Sequence, residues 1–211
     1  MTKNKVINFD FENNCYGCRN CENICPKKAI KMINNEEGFI IPKIDYEKCI
    51  DCGLCTQKCP YLHNNQETLM KRKWYGGYLK DEKERMQSTS GGMFTALANW
   101  FLDNDGYVCG CVWNEELEAT HIITNKIKDI QRMRGSKYVQ SNLNSCVLEI
   151  KKLLAHHKVL FTGTPCQVAA IKKYNENNEN LYTMALICEG VSSPKVWKKY
   201  LDYKKEKCGE D

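Results

Sequence analysis

The sequence predicts an α+β fold in two unequal parts, a short cysteine-rich module followed by a longer α/β region. Two observations support this division. Eight of the 14 cysteines fall between residues 15 and 59 in a repeated pattern, whereas strand-like and helix-like segments alternate from residue 74 onward. With 211 residues, 42% of them hydrophobic, the chain is long enough to bury a core, so we do not expect extensive disorder.

The cysteines of the first part form two copies of the pattern C-x2-C-x2-C-x3-C-P. Each cysteine of the second copy lies 34 residues after its counterpart, as Cys49 does after Cys15. This is the spacing of bacterial proteins that hold two 4Fe-4S clusters. Three cysteines of a copy can wrap one cluster, and the proline after the fourth turns that cysteine toward the cluster of the other copy. The predicted ligands are Cys15, Cys18, Cys21 and Cys59 for one cluster, and Cys49, Cys52, Cys55 and Cys25 for the other.

This pattern predicts a two-cluster bacterial-ferredoxin-like module over residues 1–63, followed by a polar linker at residues 64–73. Zinc is the alternative metal, because paired CxxC motifs also bind it, and a zinc-binding interaction module would be a different functional class. Zinc sites need neither the third evenly spaced cysteine nor the trailing Cys-Pro, so iron–sulfur clusters fit the pattern better. Oxygen-sensitive clusters of this kind would suit an anaerobe.

The composition narrows the location and partners of the protein. Residues 1–14 do not resemble a secretory signal, which favours the cytoplasm, where thiols stay reduced and disulfides are rare. No apolar run in the sequence approaches the ~20 residues that span a bilayer, so we expect no membrane span. The formal net charge is +5, but two clusters with four thiolates each would remove most of it, so we expect no nucleic acid partner.

The alternating segments of the second part predict an α/β domain with a largely parallel sheet. A helix after Gly92 is indicated by an apolar stripe that runs at helical spacing from Phe94 to Leu102. Thr164 with Pro165, and Ser193 with Pro194, are typical helix starts. The predicted strands are residues 74–79, 107–113, 119–124, 158–162 and 181–188, and a further helix covers residues 143–154.

Two glycine-containing turns precede helices, at residues 88–92 and 163–165. Free backbone N–H groups and the positive end of the helix dipole suit such a turn to a phosphate or to the electron-rich edge of a flavin. An ordinary capped helix start is equally consistent with the residues alone.

The second part of the chain contains four further motifs, which are residues 90–95 (SGGMFT), 135–141 (GSKYVQS), 161–167 (FTGTPCQ) and 187–191 (ICEGV). In sequence and in order they resemble the motifs of the coenzyme F-420 hydrogenase/dehydrogenase beta-subunit family, in the bacterial branch with an N-terminal two-cluster ferredoxin domain. The similarity extends over nearly the whole chain. It implies that residues 74–157 correspond to the family's N-terminal-like region and residues 158–211 to the start of its C-terminal-like region, so the chain looks C-terminally truncated.

The resemblance implies an iron–sulfur flavoprotein that binds FAD in a partial α/β domain and exchanges electrons between its clusters and a substrate. The residues implied to contact the flavin are Ser90, Gly91 and Gly92 at a helix start and Gly135, Ser136 and Lys137 in a loop over it. Lys137 could offset negative charge on the flavin or its phosphates, although a surface lysine is the alternative.

Two cysteines of the second part, Cys166 and Cys188, lie within these motifs. Cys166 stands in the first turn after Pro165, where a helix dipole lowers the pKa of a thiol, so both a redox or cofactor-contact role and simple packing are open for it. The family usually has Cys-His-Gly where this chain has Cys188-Glu189-Gly190. A normally anionic glutamate replaces a group that titrates near neutrality, so the resemblance does not carry a proton-handling role here.

We therefore expect an iron–sulfur electron-transfer protein that forms part of a flavin-dependent oxidoreductase. Its partner would be a redox protein or a small-molecule electron acceptor. The alternative is a non-catalytic ferredoxin-like carrier or subunit whose second domain docks a partner.

Overall fold

The computed structural model describes residues 5–63, 73–176 and 178–209 and confirms the predicted α+β class. It has an amino-terminal module with a two-stranded sheet, and a second part with a four-stranded mixed sheet. The predicted linker at residues 64–73 falls outside the described ranges except for Lys73. Within those ranges, no helix is long and apolar enough to cross a bilayer.

The amino-terminal module consists of short elements joined by tight turns. In chain order they are α1 (Phe11–Asn14), α2 (Asn20–Ile24), β1 (Ile30–Asn34), β2 (Ile40–Ile44) and α3 (Leu54–Gln57). The two strands pair antiparallel. The buried core of the module contains Cys21, Cys55 and Cys59 beside Ile7 and Ile30. Thiol groups therefore replace much of the hydrocarbon that a larger domain would bury.

The second part alternates helices and strands, as the sequence predicts. Its elements are α4 (Glu82–Met86), α5 (Met93–Asp103), β3 (Tyr107–Trp113), β4 (Ala119–Thr124), α6 (Ile127–Met133), α7 (Cys146–Leu153), β5 (Val159–Gly163), α8 (Pro165–Asn175), β6 (Leu181–Ala185) and α9 (Pro194–Cys208). The strand order is β4-β3-β5-β6, in which β3, β5 and β6 are parallel and β4 is antiparallel. The sheet is thus largely parallel, with one antiparallel edge.

Helices cover both faces of this sheet because successive strand residues point to opposite sides. Val108 and Leu160 face α5 and α6, whereas Cys109 and Phe161 face α7 and α8. All four side chains are buried. This three-layer arrangement leaves the carboxyl ends of the parallel strands at one edge, where α/β proteins commonly bind ligands.

The prediction of a strand at residues 74–79 is wrong. In the described part of the chain this segment pairs with no strand, and its link to the following helix start is a hydrogen bond from the Leu79 N–H to the Gly91 carbonyl. Trp74 is 88% exposed, and Gly76 and Gly77 have no side chains to pack on a sheet. The last predicted strand also ends earlier than expected, at Ala185.

The two parts of the chain pack directly against each other through α2. Tyr16, Cys18 and Ile24 lie against the core formed by α7 and α8. Asn20 is fully buried, and its Nδ2 donates to the Ala170 carbonyl at 2.8 Å. Other hydrogen bonds across the contact include Arg19 Nε to Asn142 Oδ1 (2.7 Å), Ile40 N to Gln140 Oε1 (2.8 Å) and Ser193 Oγ to the Glu37 carbonyl (2.6 Å).

Candidate functional site

The eight repeated cysteines surround two separate cavities in the amino-terminal module. One cavity, of about 330 Å³ including its opening, is bordered by Cys15, Cys18, Cys21 and Cys59, which we call the near ring because it adjoins the α/β part. The other, of about 350 Å³, is bordered by Cys25, Cys49, Cys52 and Cys55, which we call the far ring. The structure therefore brings the fourth cysteine of each copy together with the first three of the other.

The two copies share a backbone conformation that bends the chain around each cavity. Gly17 and Asp51 occupy equivalent positions and have positive φ angles of 62° and 52°. Arg19 and Gly53, also equivalent, have φ angles of 64° and 77°. Two left-handed residues in a short span are uncommon outside such tight loops. They turn three cysteines of each copy toward one point.

Backbone N–H groups point at sulfur atoms in both rings. Gly17 N–H donates to Cys15 Sγ at 3.4 Å, and Ile7 N–H donates to Cys55 Sγ at 3.3 Å. Ala29 N–H donates to Cys25 Sγ at 3.3 Å. Such hydrogen bonds stabilise the negative charge of a thiolate ligand and help to set the reduction potential of a cluster.

In the absence of metal, burial makes the near-ring thiols weaker acids than a cysteine in water. It raises the pKa of Cys15 to about 11 and that of Cys18 to about 12. The pKa of Cys21 and that of Cys59 are raised for the same reason. Because metal binds the thiolate, filling this ring must release protons.

The arrangement of the thiols suits a multi-iron cluster. The four thiols of each ring border one open volume. The donor set is all sulfur, which is the set that iron–sulfur clusters use.

A third cavity lies at the carboxyl ends of β5 and β6, where the α/β part meets the near ring. This sheet-edge cavity measures about 1210 Å³ including its opening. Four of the predicted flavin-contact residues border it, namely Gly135, Ser136, Lys137 and Cys166. Cys15 and Tyr16 of the amino-terminal module also border it.

Ser90, Gly91 and Gly92 are not among the residues that border the sheet-edge cavity, although their neighbours Thr89 and Phe94 are. The two glycines instead shape the start of α5. Gly92 caps this helix with a φ of 78°, and a Cβ on Gly91 would lie 2.8 Å from the Gly77 carbonyl oxygen. Only glycine allows the segment before α4 to lie this close to the helix start.

Lys137 is neither an exposed lysine nor a free cation. Its Nζ donates to four carbonyl oxygens at the end of α6 and in the loop that follows, those of Arg132 (3.1 Å), Met133 (3.1 Å), Arg134 (2.9 Å) and Gly135 (3.1 Å). Burial lowers the pKa of Lys137. The ammonium thus caps the negative end of a helix and fixes the loop that borders the sheet-edge cavity.

Arg134 ties this same loop to the segment that leads into α5. Its guanidinium forms an ion pair with Glu84 and donates to Gln87 Oε1. The Arg134 side chain is 7% exposed, whereas that of Glu84 is 36% exposed. These contacts tie the loop at residues 134–137 to α4 and to Gln87, which directly follows it.

Cys166 stands in the first turn of α8, next to the near ring. Its sulfur lies 3.1 Å from Thr164 Oγ1. Gln167 completes the helix start, because its Oε1 accepts from the Thr164 N–H at 3.0 Å and its Nε2 donates to Ser141 Oγ at 2.8 Å. The predicted helix start at Thr164 and Pro165 is confirmed.

His121 is a member of the cavity wall that the sequence analysis did not identify. It is 3% exposed, and its Nε2 lies 3.2 Å from the Thr162 carbonyl oxygen. Burial lowers the pKa of His121 to about 4, so the ring is neutral at physiological pH and its Nε2–H donates to that carbonyl. Residues that face the core alternate with residues that face outward along β4. This alternation was the sequence signal that could have identified His121 as a buried residue.

Each of the two parts of the chain matches a family of known proteins. Residues 14–62 match a family model described as a 4Fe-4S dicluster domain. Residues 156–211 match the model of the C terminus of the coenzyme F420 hydrogenase/dehydrogenase beta subunit. The resemblance stated from the motifs is thereby confirmed, as is the presence of an iron–sulfur cluster domain.

Two curated relatives and one solved structure extend these matches. A protein named as one of the subunits of the F(420)H(2) dehydrogenase of Methanosarcina mazei is 26% identical over 197 residues, which is 87% of this chain and 55% of the relative. The coenzyme F420-dependent sulfite reductase of Methanocaldococcus jannaschii is 24% identical over 165 residues, which is 75% of this chain and 25% of the relative. The chain therefore spans about half or less of the length of these relatives.

The solved structure is that of the F420-reducing [NiFe] hydrogenase complex from Methanosarcina barkeri. The likeness has a TM-score of 0.50 at 19% identity and covers 66% of this chain and 53% of that chain. It supports the fold. The cluster domain and the oxidoreductase relatives support an iron–sulfur electron-transfer protein of the kind found in oxidoreductases.

The buried His121 makes the stability of the protein sensitive to acid. The folded state binds a proton here only near pH 4, whereas the unfolded state does so near pH 6.5. Stability is therefore present above pH 6.5 and is lost as the pH falls through 4, by about 3 kcal/mol at pH 4. Denaturant unfolding under anaerobic conditions at pH 7 and pH 4.5 should show a smaller acid loss for His121→Gln, and equal losses would contradict this assignment.

The cap formed by Lys137 should contribute measurably to stability. Lys137→Met leaves four carbonyl groups without their charged donor, and we expect a loss of roughly 1–3 kcal/mol in the free energy of unfolding. The matched control is Lys126→Met, which removes an exposed lysine from the other end of α6. Equal melting temperatures of the two variants would show that the cap has no such role.

Proposed function

We propose, from the premise that this chain is coenzyme F-420 hydrogenase/dehydrogenase beta-subunit-like, that it passes electrons between two 4Fe-4S clusters and an FAD held in the sheet-edge cavity. One observation carries the proposal. A large cavity at the carboxyl edge of the parallel strands, bordered by residues of all four family-like motifs, directly adjoins a ring of four cysteines. A flavin oxidoreductase fed by iron–sulfur clusters needs these two sites side by side.

The two cysteine rings would hold the clusters, with the near-ring thiols as one ligand set and the far-ring thiols as the other. Each cluster supplies one-electron transfer when bound. The chain contributes the geometry and the electrostatics. Three of the four near-ring cysteines are buried, namely Cys18, Cys21 and Cys59. The Gly17, Ile7 and Ala29 N–H groups donate to ligand sulfur atoms.

The residues around the sheet-edge cavity fit a flavin dinucleotide in three ways. Its volume of about 1210 Å³ is ample for a large ligand. A Cβ added at Gly135 would meet no atom within 4 Å, so the backbone of this loop is open to close approach. The start of the eleven-residue α8 borders the cavity with Thr164 and Cys166 and presents the positive end of its dipole.

Bound FAD supplies chemistry in which one or two electrons are exchanged, and this links one-electron clusters to a two-electron substrate. Lys137 holds the cavity loop in shape through four carbonyl groups. Neutral His121 keeps one wall of the cavity free of charge. The curated relatives are named as part of a dehydrogenase and as a reductase, which supports a redox partner protein or a small-molecule acceptor for this chain.

A carrier without flavin is the second candidate, and one observation favours it. Ser90, Gly91 and Gly92 do not border the sheet-edge cavity. A flavin that needs contacts from these residues would then not bind, and the α/β part would serve to dock a partner.

Metal and flavin content tests the proposal directly. Protein prepared without oxygen should contain about eight iron atoms, about eight sulfide ions and about one FAD per chain. Colorimetric iron and sulfide assays and the fluorescence of released flavin give these values. Clusters without flavin would establish the carrier, and zinc in a colourless protein would exclude both candidates.

Paired substitutions test the exchange of the fourth cysteine between the rings. Cys25→Ala with Cys52→Ala removes two ligands from the far ring alone, so about four iron atoms per chain should remain. Cys25→Ala with Cys21→Ala removes one ligand from each ring, so both clusters should be lost. The reverse pattern would show that each copy holds its own cluster. Cys25→Ala alone should retain about half of the iron and serves as the control.

A further inference from the structure

We infer that helix α9 is a self-association element, which docks into a groove of a second copy of this chain while the second copy docks its own α9 in return. The groove lies between α9, the turn at residues 114–118 that joins β3 to β4, and the hairpin of β1 and β2. We call it the helix–turn groove. The proposed function does not use this surface, so the inference does not depend on what fills the cysteine rings or the sheet-edge cavity.

The helix–turn groove is large enough to hold a helix. Its volume is about 1850 Å³ including its opening. A helix about 10 Å wide occupies roughly 400 Å³ per turn, so the groove has room for about four turns. This is the length of α9 itself, which has 15 residues. Ile33 and Leu117 border the groove and are both exposed, so apolar side chains are open to contact by an occupant.

Contacts within one copy hold the walls of the groove in place. The Trp197 ring of α9 stacks on Trp113 with 4.9 Å between the ring centroids, and its Nε1 donates to the Leu117 carbonyl at 2.8 Å. Lys195 Nζ donates to the Glu36 carbonyl in the hairpin turn at 2.7 Å. The first turns of α9 are thus anchored to both neighbouring segments. The groove is formed before anything binds, which lowers the free-energy cost of binding.

The face of α9 that points away from the groove is uncovered. Its residues recur at i, i+3, i+4, i+7 and i+11, a spacing that places them on one side of a helix. They are Val196, Lys199, Tyr200, Tyr203 and Lys207, which we call the outer face, and all five are exposed. Tyrosines on an exposed helix are typical of protein interfaces, because the ring buries apolar area and keeps a polar tip. Most of the stability of a helix in a protein comes from a packed apolar face, so a partner that covers this face would stabilise α9.

The helix and the turn carry opposite charges. α9 contains six lysines and two acidic residues, whereas the turn contains Glu115, Glu116 and Glu118, all of them exposed. Among the described residues, no ion pair involves Glu115, Glu116, Lys199 or Lys207. The described residues that border the groove include none of the outer face. The outer-face lysines can therefore meet the acidic turn only when the two belong to different molecules.

A second copy of the chain supplies both surfaces at once. In a two-fold dimer, α9 of each copy lies in the groove of the other, so the same contact forms twice. The outer-face lysines then lie against the glutamates of the turn, and the outer-face valine and tyrosines cover the apolar side chains of the groove. One sequence holds both a preformed groove and a helix of matching length and opposite charge, which favours a copy of this chain over a different protein.

Charge reversal tests this arrangement in the full chain prepared without oxygen. Sedimentation equilibrium at low salt should show a dimer whose dissociation constant rises with salt, because salt screens the charges. Glu115→Lys with Glu116→Lys, and separately Lys199→Glu with Lys207→Glu, place like charges opposite each other, so each pair should weaken the dimer at least about tenfold. An equimolar mixture of the two variants restores opposite charges at both contacts and should form a heterodimer.

The matched control is Lys83→Glu with Lys128→Glu, which makes the same change of charge at exposed lysines of α4 and α6 that do not border the groove. It should dimerise like the unsubstituted protein. An unsubstituted protein that is monomeric at low salt, a dimer that survives either pair of groove substitutions, or a mixture without heterodimer would each overturn the inference. If circular dichroism shows that one pair unfolds the chain, the other pair and the salt dependence decide.

Discussion

The structure depends first on the exchange of one cysteine between two copies of a short loop. Cys25 borders the ring of the second copy and Cys59 that of the first, so neither ring is complete without the other copy. The module has a small apolar core in which thiols take part. Bonds from those thiols to metal would therefore tie together elements that hydrocarbon packing alone holds weakly.

The same module is also the surface on which the α/β part is built. Asn20 reaches into α8, and Cys18 is buried among the residues of α7 and α8. The near ring thus contributes to two cores at once. Because the carboxyl edge of the parallel strands faces this ring, the fold itself brings a ligand cavity and an iron–sulfur site together.

Those parts of the structure that depend on local pattern could be predicted from the sequence. The bounds of β3 and β4 match the alternating segments at residues 107–113 and 119–124, and the helix start at Thr164 follows from residue type. The parts that depend on distant partners could not. A strand-like pattern at residues 74–79 does not reveal whether a neighbouring strand exists. The role of Lys137 requires the carboxyl end of α6, a helix without a strong apolar stripe. The burial of His121 arises only when β4 pairs with β3 and Phe161 stacks on the ring.

The burial of Cys18 bears on how the protein matures. This thiol is 8% exposed and lies under α7 and α8 once the two parts have closed. The same thiol borders the near ring. Filling of this ring with metal is therefore coupled to the packing of the later segments of the chain, because one side chain belongs to both.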